Sequence, residues 1–323
     1  YLVTAPCLCL NTYQAATRYA SGSLVLRVHV SLCQSILRYT FKPSTSRGTE
    51  HRCFVIHRCH NRAFAALRFW VQAMRVAEPA DENGLRVSEF GDRIFGRKGL
   101  DPYMEDVTTL WLLHWQLCSH HDNPLFAWDF LFNRFHDPEI VRSNVLSAIE
   151  RESRQLARPL AKATLAQHFD VFMHTYVPTR GRKAEILEDN LDCPLVELEL
   201  IQRIGQRVSS NDKLEPAYAF RRDPKPDLSP GVFIFAVEDF WKRCRPSEAT
   251  LSLSDLATSA GSPGQVFKLP EDELRTRLSR IEDQSNGILI YSESAMFEQL
   301  KRSDGYEFTD LLGEAYEGDL AHA

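Results

Sequence analysis

The sequence predicts a mainly α-helical chain with short β-hairpins, in which winged-helix-like segments flank a helical core. Three observations lead there. Apolar residues recur at helical intervals in segment after segment from Leu67 to Glu282. The turn pairs Asn83-Gly84 and Asn286-Gly287 each adjoin short β-capable runs. The longest apolar runs, such as Gly231 to Val237, are far too short to cross a bilayer.

The 323 residues suffice for two domains with cores of ordinary size. An apolar fraction of 44% with 25% charged residues is globular composition. No charged n-region leads into an apolar h-region, so the expected address is cytoplasmic, with no membrane partner. Charge is uneven. Residues 1–66 carry eight Lys or Arg against one acid, Glu50, a formal +7; with −5 overall, residues 67–323 are left at −12. An acidic body offers no broad nucleic-acid surface, so DNA contact must come from local basic stripes.

Residues 1–65 read as an atypical segment. They hold Cys7, Cys9, Cys33, Cys53 and Cys59 with scattered Arg, His and Ser and one lysine, Lys42. That is the composition a shifted reading frame produces, and it predicts a poorly ordered stretch. The His51 to His60 cluster has zinc-capable ligands, but its spacing matches no common finger. The remainder divides into residues 66–222, a partial winged helix with a helical core, and residues 223–323, a second winged-helix-like module. Arg221 to Pro226, rich in Pro, marks that boundary.

From Leu67, the residues Leu67, Trp70, Val71 and Met74 form one apolar helical face. Val76 and Leu85 to Val87 can pair across Asn83-Gly84, and Ser88 to Phe95 reads as a short helix. Helix, hairpin, helix is the end of a winged-helix pattern. Arg68, Arg75 and Arg86 are then candidates for phosphate contact, with Arg93 nearby, or are simply solvated arginines.

The run Gly99-Leu-Asp-Pro-Tyr-Met-Glu-Asp106 follows, leading into Thr109-Leu-Trp-Leu-Leu-His-Trp115. The helix is apolar nearly all round and therefore buried. Three carboxylates, Asp101, Glu105 and Asp106, crowd its start. They can cap N–H groups and favour the helix dipole. Alternatively their oxygens can converge on Mg²⁺.

Trp128 to His136 is dense in aromatics at core spacing, with Asn133, Arg134 and His136 available to a site. Glu139 to Gln155 and Leu160 to Tyr176 have helical periodicity. Arg180, Arg182 and Lys183 form a basic loop, for phosphate or for solvent. Asp189 and Asp192 either cap a helix near Pro194 or join a metal site, and Cys193 reads as a buried thiol. Further helices are expected at Ile234 to Arg243, Ser252 to Ser259 and Glu271 to Glu282. A turn with an extended piece is expected at Pro263 to Leu269, a strand at Ile288 to Tyr291, and fraying beyond Ser303.

The Gly99 to Trp115 run resembles a long hallmark of the DUF4007 family. Glu188-Asp-Asn-Leu-Asp-Cys-Pro-Leu195 and Ser262-Pro-Gly-Gln-Val-Phe-Lys-Leu269 resemble further family elements, so the likeness spans about residues 66 to 302. Members sit with DNA phosphorothioation and defence genes. The resemblance implies a DNA-binding component working with other proteins of a DNA-modification system. In such a system a strand nick would expose the backbone for sulfur insertion. Two functions follow: a Mg²⁺-dependent nickase centred on Asp101, Glu105 and Asp106, or a non-catalytic DNA-binding or scaffolding subunit. No P-loop, GxGxxG, GxSxG or HExxH motif supports nucleotide, dinucleotide, serine or zincin chemistry.

Overall fold

The computed structural model describes residues 53–54, 62–80, 84–120, 123–178, 193–209, 212–294, 296–303 and 308–317. Within these, residues of 1–109 and 173–197 form one compact unit, and those of 110–172 and 198–323 form another. The chain is mainly helical with small antiparallel sheets.

In the first unit, helix α1 (Arg62–Ala73) runs into a hairpin of β2 (Ala77–Pro79) and β3 (Leu85–Val87). The hairpin expected beside Asn83-Gly84 forms, but its first strand is Ala77–Pro79 rather than Val76, with Ala77 opposite Val87 and Pro79 opposite Leu85. Strand β1 (Cys53–Phe54) pairs with the other edge of β3, a third strand the sequence did not announce. Arg75, at a φ of 55°, turns the chain out of α1. Helix α2 (Glu89–Phe95) starts as expected: the Ser88 hydroxyl accepts the Gly91 N–H at 2.9 Å. The same hydroxyl donates to Arg75 O, and the Ser88 N–H to Val76 O. This closes α2 on the end of the hairpin so tightly that a Cβ on Gly91 would lie 2.1 Å from Val76 O.

The second unit holds most of α3 (Val107–Cys118), whose described side chains are buried almost all round. Helix α4 (Phe126–Asp129) continues into a π-helical turn (Phe130–Arg134), and the core is aromatic. Trp111, Trp115, Phe132, Phe172, Phe233 and Phe267 are each 1% exposed or less. Trp111 meets Phe267 edge-on at 5.6 Å between ring centres, and Phe132 lies 5.1 Å from Phe220. The expected helix from Glu139 starts later. Ile140–Val141 forms β4, and α5 occupies Arg142–Ser153. The strand wins because Ile140 and Val141 pair with Tyr218 and Ala217, inside the core. Helix α6 is Lys162–Tyr176, close to the expected span.

The segment from Ile201 to Phe220 carried no sequence assignment and forms the longest hairpin, β5 (Ile201–Val208) with β6 (Leu214–Phe220). Helix α7 is Pro230–Cys244, four residues longer at its start than Ile234 suggested, because Ser229 caps it and Pro230 occupies N1. A second sheet of this unit orders β7 (Thr250–Ser252), β9 (Glu298–Arg302) and β8 (Leu289–Glu293).

Helix α8 (Leu253–Thr258) has a full capping box between Ser252 and Asp255. Pro263 to Leu269 is not extended: Pro263–Val266 is helix α9, capped by Ser262 with Pro at N1. Glu271 to Glu282 divides at Arg280 into α10 (Glu271–Ser279) and α11 (Ile281–Gln284). The expected fraying beyond Ser303 does not hold for Leu311–Glu317, which is helix α12. Ser229 donates to Ala315 O at 3.0 Å, and a Cβ on Gly231 would lie 2.4 Å from Glu314 O, so α12 docks backbone to backbone on α7.

Candidate functional site

The acidic segment before α3 is built around Asp101. Pro102 restricts the chain on one side of it, and Met104 takes a left-handed φ of 57°, folding the segment back. The Asp101 side chain is buried. Its Oδ1 accepts the Glu105 N–H at 3.0 Å. Its Oδ2 accepts the Asp106 N–H at 3.1 Å and the Thr109 hydroxyl at 2.5 Å. Asp106 Oδ1 in turn accepts the Thr108 N–H at 2.8 Å. Asp101 and Asp106 thus take up N–H groups that the start of α3 leaves without intrahelical partners. Glu105 is exposed and Asp106 half-buried. Among the described residues, no three His, Cys, Asp or Glu side chains converge as a metal cluster. Asp101 is therefore committed to donors, while Glu105 and one oxygen of Asp106 keep acceptor capacity.

The basic candidates near the hairpin also have internal partners. Arg68 donates to Gly84 O at 3.3 Å, linking α1 to the start of β3. Arg75 accepts the Ser88 hydroxyl at its carbonyl. Arg86 pairs with Glu78 across the hairpin at 2.8 Å, both side chains about half exposed. Arg180, Arg182, Lys183, Asp189 and Asp192 lie outside the described residues. Cys193 is half-buried rather than buried.

The aromatic stretch uses its polar residues inside the second unit. Asn133 donates to Asp129 at 3.1 Å and accepts the Gly261 N–H at 2.9 Å. Arg134 pairs with Asp129 and Glu152 at 2.6 and 2.9 Å. His136 is exposed.

A polar cluster in this core was not singled out from the sequence. His114, fully buried, bonds Val266 O through Nε2 at 2.9 Å; the carbonyl only accepts, so Nε2 carries the proton. Nδ1 is then the acceptor for the Cys118 thiol, 3.5 Å away. Burial lowers the His114 pKa to about 4. Lys268, 1% exposed at a φ of 54°, donates to Phe132 O at 2.5 Å, and its Nζ lies 4.5 Å from the centre of the Phe220 ring. Burial, helped by the Arg222 charge, lowers its pKa to about 7. The available signal was a lysine between Phe267 and Leu269, within an otherwise apolar run.

A family model described as a protein of unknown function, DUF4007, matches residues 63–316. The chain belongs to the DUF4007 family. The match extends beyond both ends of the resemblance read from motifs. It takes in all but the first residue of α1 at one end and all but the last residue of α12 at the other.

Among solved structures, this DUF4007 chain is similar to one described as magnesium ion-bound SspB. The identity is 21%, the alignment covers 90% of this chain and 83% of that one, and the TM-score is 0.69. A second SspB crystal structure aligns at 22% identity over 79% and 74% of the two chains, with a TM-score of 0.65. At these identities the likeness is one of fold. A comparison with curated proteins gave no match. Among the described residues, no helix is long and apolar enough to cross a membrane.

Proposed function

We propose that this chain is a DNA-contacting subunit of a DNA phosphorothioation or defence system, acting with other proteins of that system, and that Asp101 locks the segment before α3 rather than carrying chemistry. Family membership supports the system. The observation that carries the role of Asp101 is its carboxylate, held by the N–H groups of Glu105 and Asp106 and the Thr109 hydroxyl. A buried carboxylate so engaged stabilises a turn. Three of the roughly four acceptor sites of this carboxylate are taken, so a metal there would compete with these donors, at about 1–3 kcal/mol for each buried one left unmet.

A second reading, Mg²⁺-dependent strand nicking, is favoured by one observation: a structure of the same fold is described as magnesium ion-bound. Glu105 and Asp106 would then hold the ion, since Mg²⁺ needs only one or two carboxylates and keeps its waters. The ion would supply positive charge and an activated water against a phosphodiester. Asp101 would serve only to orient its two neighbours.

Separate Asp101→Asn and Glu105→Gln variants distinguish the readings. On the subunit reading, Asp101→Asn lowers the melting temperature and Glu105→Gln leaves it unchanged, with no Mg²⁺-dependent plasmid nicking by any form. Nicking by the wild type that Glu105→Gln abolishes with its fold intact would replace this reading with the nickase.

A further inference from the structure

The β5–β6 hairpin is the least covered regular structure of the second unit. Within the sheet order β4, β6, β5, strand β5 is an edge, and β6 is its only described pairing partner. Residues 202–204 and 206–208 are exposed. Ile204, Val208 and Leu214, all on this hairpin, are three of the seven exposed large apolar side chains among the described residues. An uncovered edge of eight residues is a template for another strand. Proteins blunt such edges with Pro, Lys, other charged side chains, short length or bulges; β5 is long and has no Pro or Lys, and its protections are Arg203, Arg207 and one bulge between Arg203 and Gly205.

Its sequence, Ile201-Gln-Arg-Ile-Gly-Gln-Arg-Val208, is complementary to itself when reversed. Laid antiparallel against a copy, Ile201 meets Val208, Gln202 meets Arg207, Arg203 meets Gln206 and Ile204 meets Gly205. No arginine opposes an arginine, and the end pairs are apolar. Side-chain direction decides whether this register can form. In a regular strand, residues seven apart point to opposite faces, and the register would set inward against outward positions.

The bulge between Arg203 and Gly205 removes that conflict. The pairings Ile201–Phe220, Arg203–Tyr218, Gln206–Pro216 and Val208–Leu214 put Ile201, Arg203, Gln206 and Val208 on one face. Gln202, Gly205 and Arg207 fall on the other. In the self-paired register, Ile201 with Val208, Arg203 with Gln206 and Gln202 with Arg207 are each same-face pairs. The electrostatics agree. Arg207 is held by Glu139, whose Oε2 lies 2.7 Å from Nε, whereas no described ion pair or hydrogen bond engages Arg203.

We propose that the open edge of β5 pairs antiparallel with the β5 edge of a second copy of this chain, joining two three-stranded sheets into one of six. The contact is small and covers Val208, so it is a concentration-dependent dimer rather than a permanent one.

Sedimentation velocity on the full chain over a range of concentrations tests this. The average mass is expected to climb from one copy toward two. Gln206→Arg sets arginine against Arg203 in both halves of the dimer, at an exposed position, and is expected to weaken association at least tenfold. Adding Arg203→Glu to that variant turns the clash into an ion pair and restores it. Absence of association at every concentration overturns the proposal, as does association that Gln206→Arg leaves intact or that Arg203→Glu fails to restore. Should Gln206→Arg misfold, hydrogen exchange in the wild type decides: amides of 202–208 gain protection with concentration if the edge pairs, and unchanged exchange overturns the idea.

Discussion

At the scale of single residues, the second unit stores its most telling chemistry as uncharged groups in an aromatic core. His114 and His168 are both brought to a pKa of about 4, by burial in each case. Among the described residues, the buried His168 Nε2 has no hydrogen-bond partner to offset the cost of a charge. The sign follows from linkage. In the unfolded chain both rings gain a proton as pH falls through about 6.5, while the folded rings stay neutral until about 4. Their contribution is complete above about 6.5 and is lost progressively toward 4, at most roughly 3 kcal/mol for each ring.

Lys268 acts at the other end of the pH range. With a folded pKa near 7 against 10.5, it makes stability climb as pH rises from 7 to 10.5. Thermal melting from pH 4 to 10 should therefore show an acid limb that softens in His168→Phe, and an alkaline rise that disappears in Lys268→Met. A flat profile, or limbs indifferent to both changes, would contradict the lowering of these pKa values by burial.

Elements were legible where a cap and a period agreed. Ser88 before α2 and Ser252 before α8 announced helix starts, and Asn83-Gly84 announced the first hairpin. The β5–β6 hairpin escaped because it exposes both faces over much of its length, so no alternation marks it. Its apolar residues Ile201, Ile204 and Val208 fall at helical spacing instead. The acidic segment was half legible. Three carboxylates before a buried helix were evident, but their division of labour depends on the positive φ of Met104, which no residue type there signals.

The C-terminal acidic stretch misled for a different reason. Its composition suggested fraying, whereas α12 is held by an approach of backbones that only Gly231 permits. Gly231→Ala should separate α12 from α7 and destabilise the protein by about 1–3 kcal/mol, as overpacking does. The amides of α12 should then exchange faster than those of α8, whose capping box is untouched. Unchanged melting would show that α7 can shift to admit the methyl group.

For the whole molecule, charge is the property that bears on DNA. With −12 over residues 67–323, any duplex binding by this part of the chain would rest on a few cations working against a repulsive field, and added salt should weaken it by about one log unit per tenfold salt for each phosphate contacted. On the hairpin of the first unit, Arg86 already has an anion in Glu78 at 2.8 Å, with both side chains half exposed. A phosphate must compete with that carboxylate for the same guanidinium, and an exposed pair of this kind is worth only up to about 1 kcal/mol. Phosphate can therefore displace Glu78, at a cost in affinity that Glu78→Gln would remove. If β2–β3 meets the backbone of duplex DNA, Glu78→Gln should tighten binding several-fold at low salt. Arg86→Ala should weaken it and make the slope of log K against log salt shallower by about one unit. Fluorescence anisotropy with a labelled duplex across a salt series measures both. Equal affinities for the two variants and the wild type would remove this hairpin from the DNA contact and leave the basic run at Arg180, Arg182 and Lys183 as the surface to test.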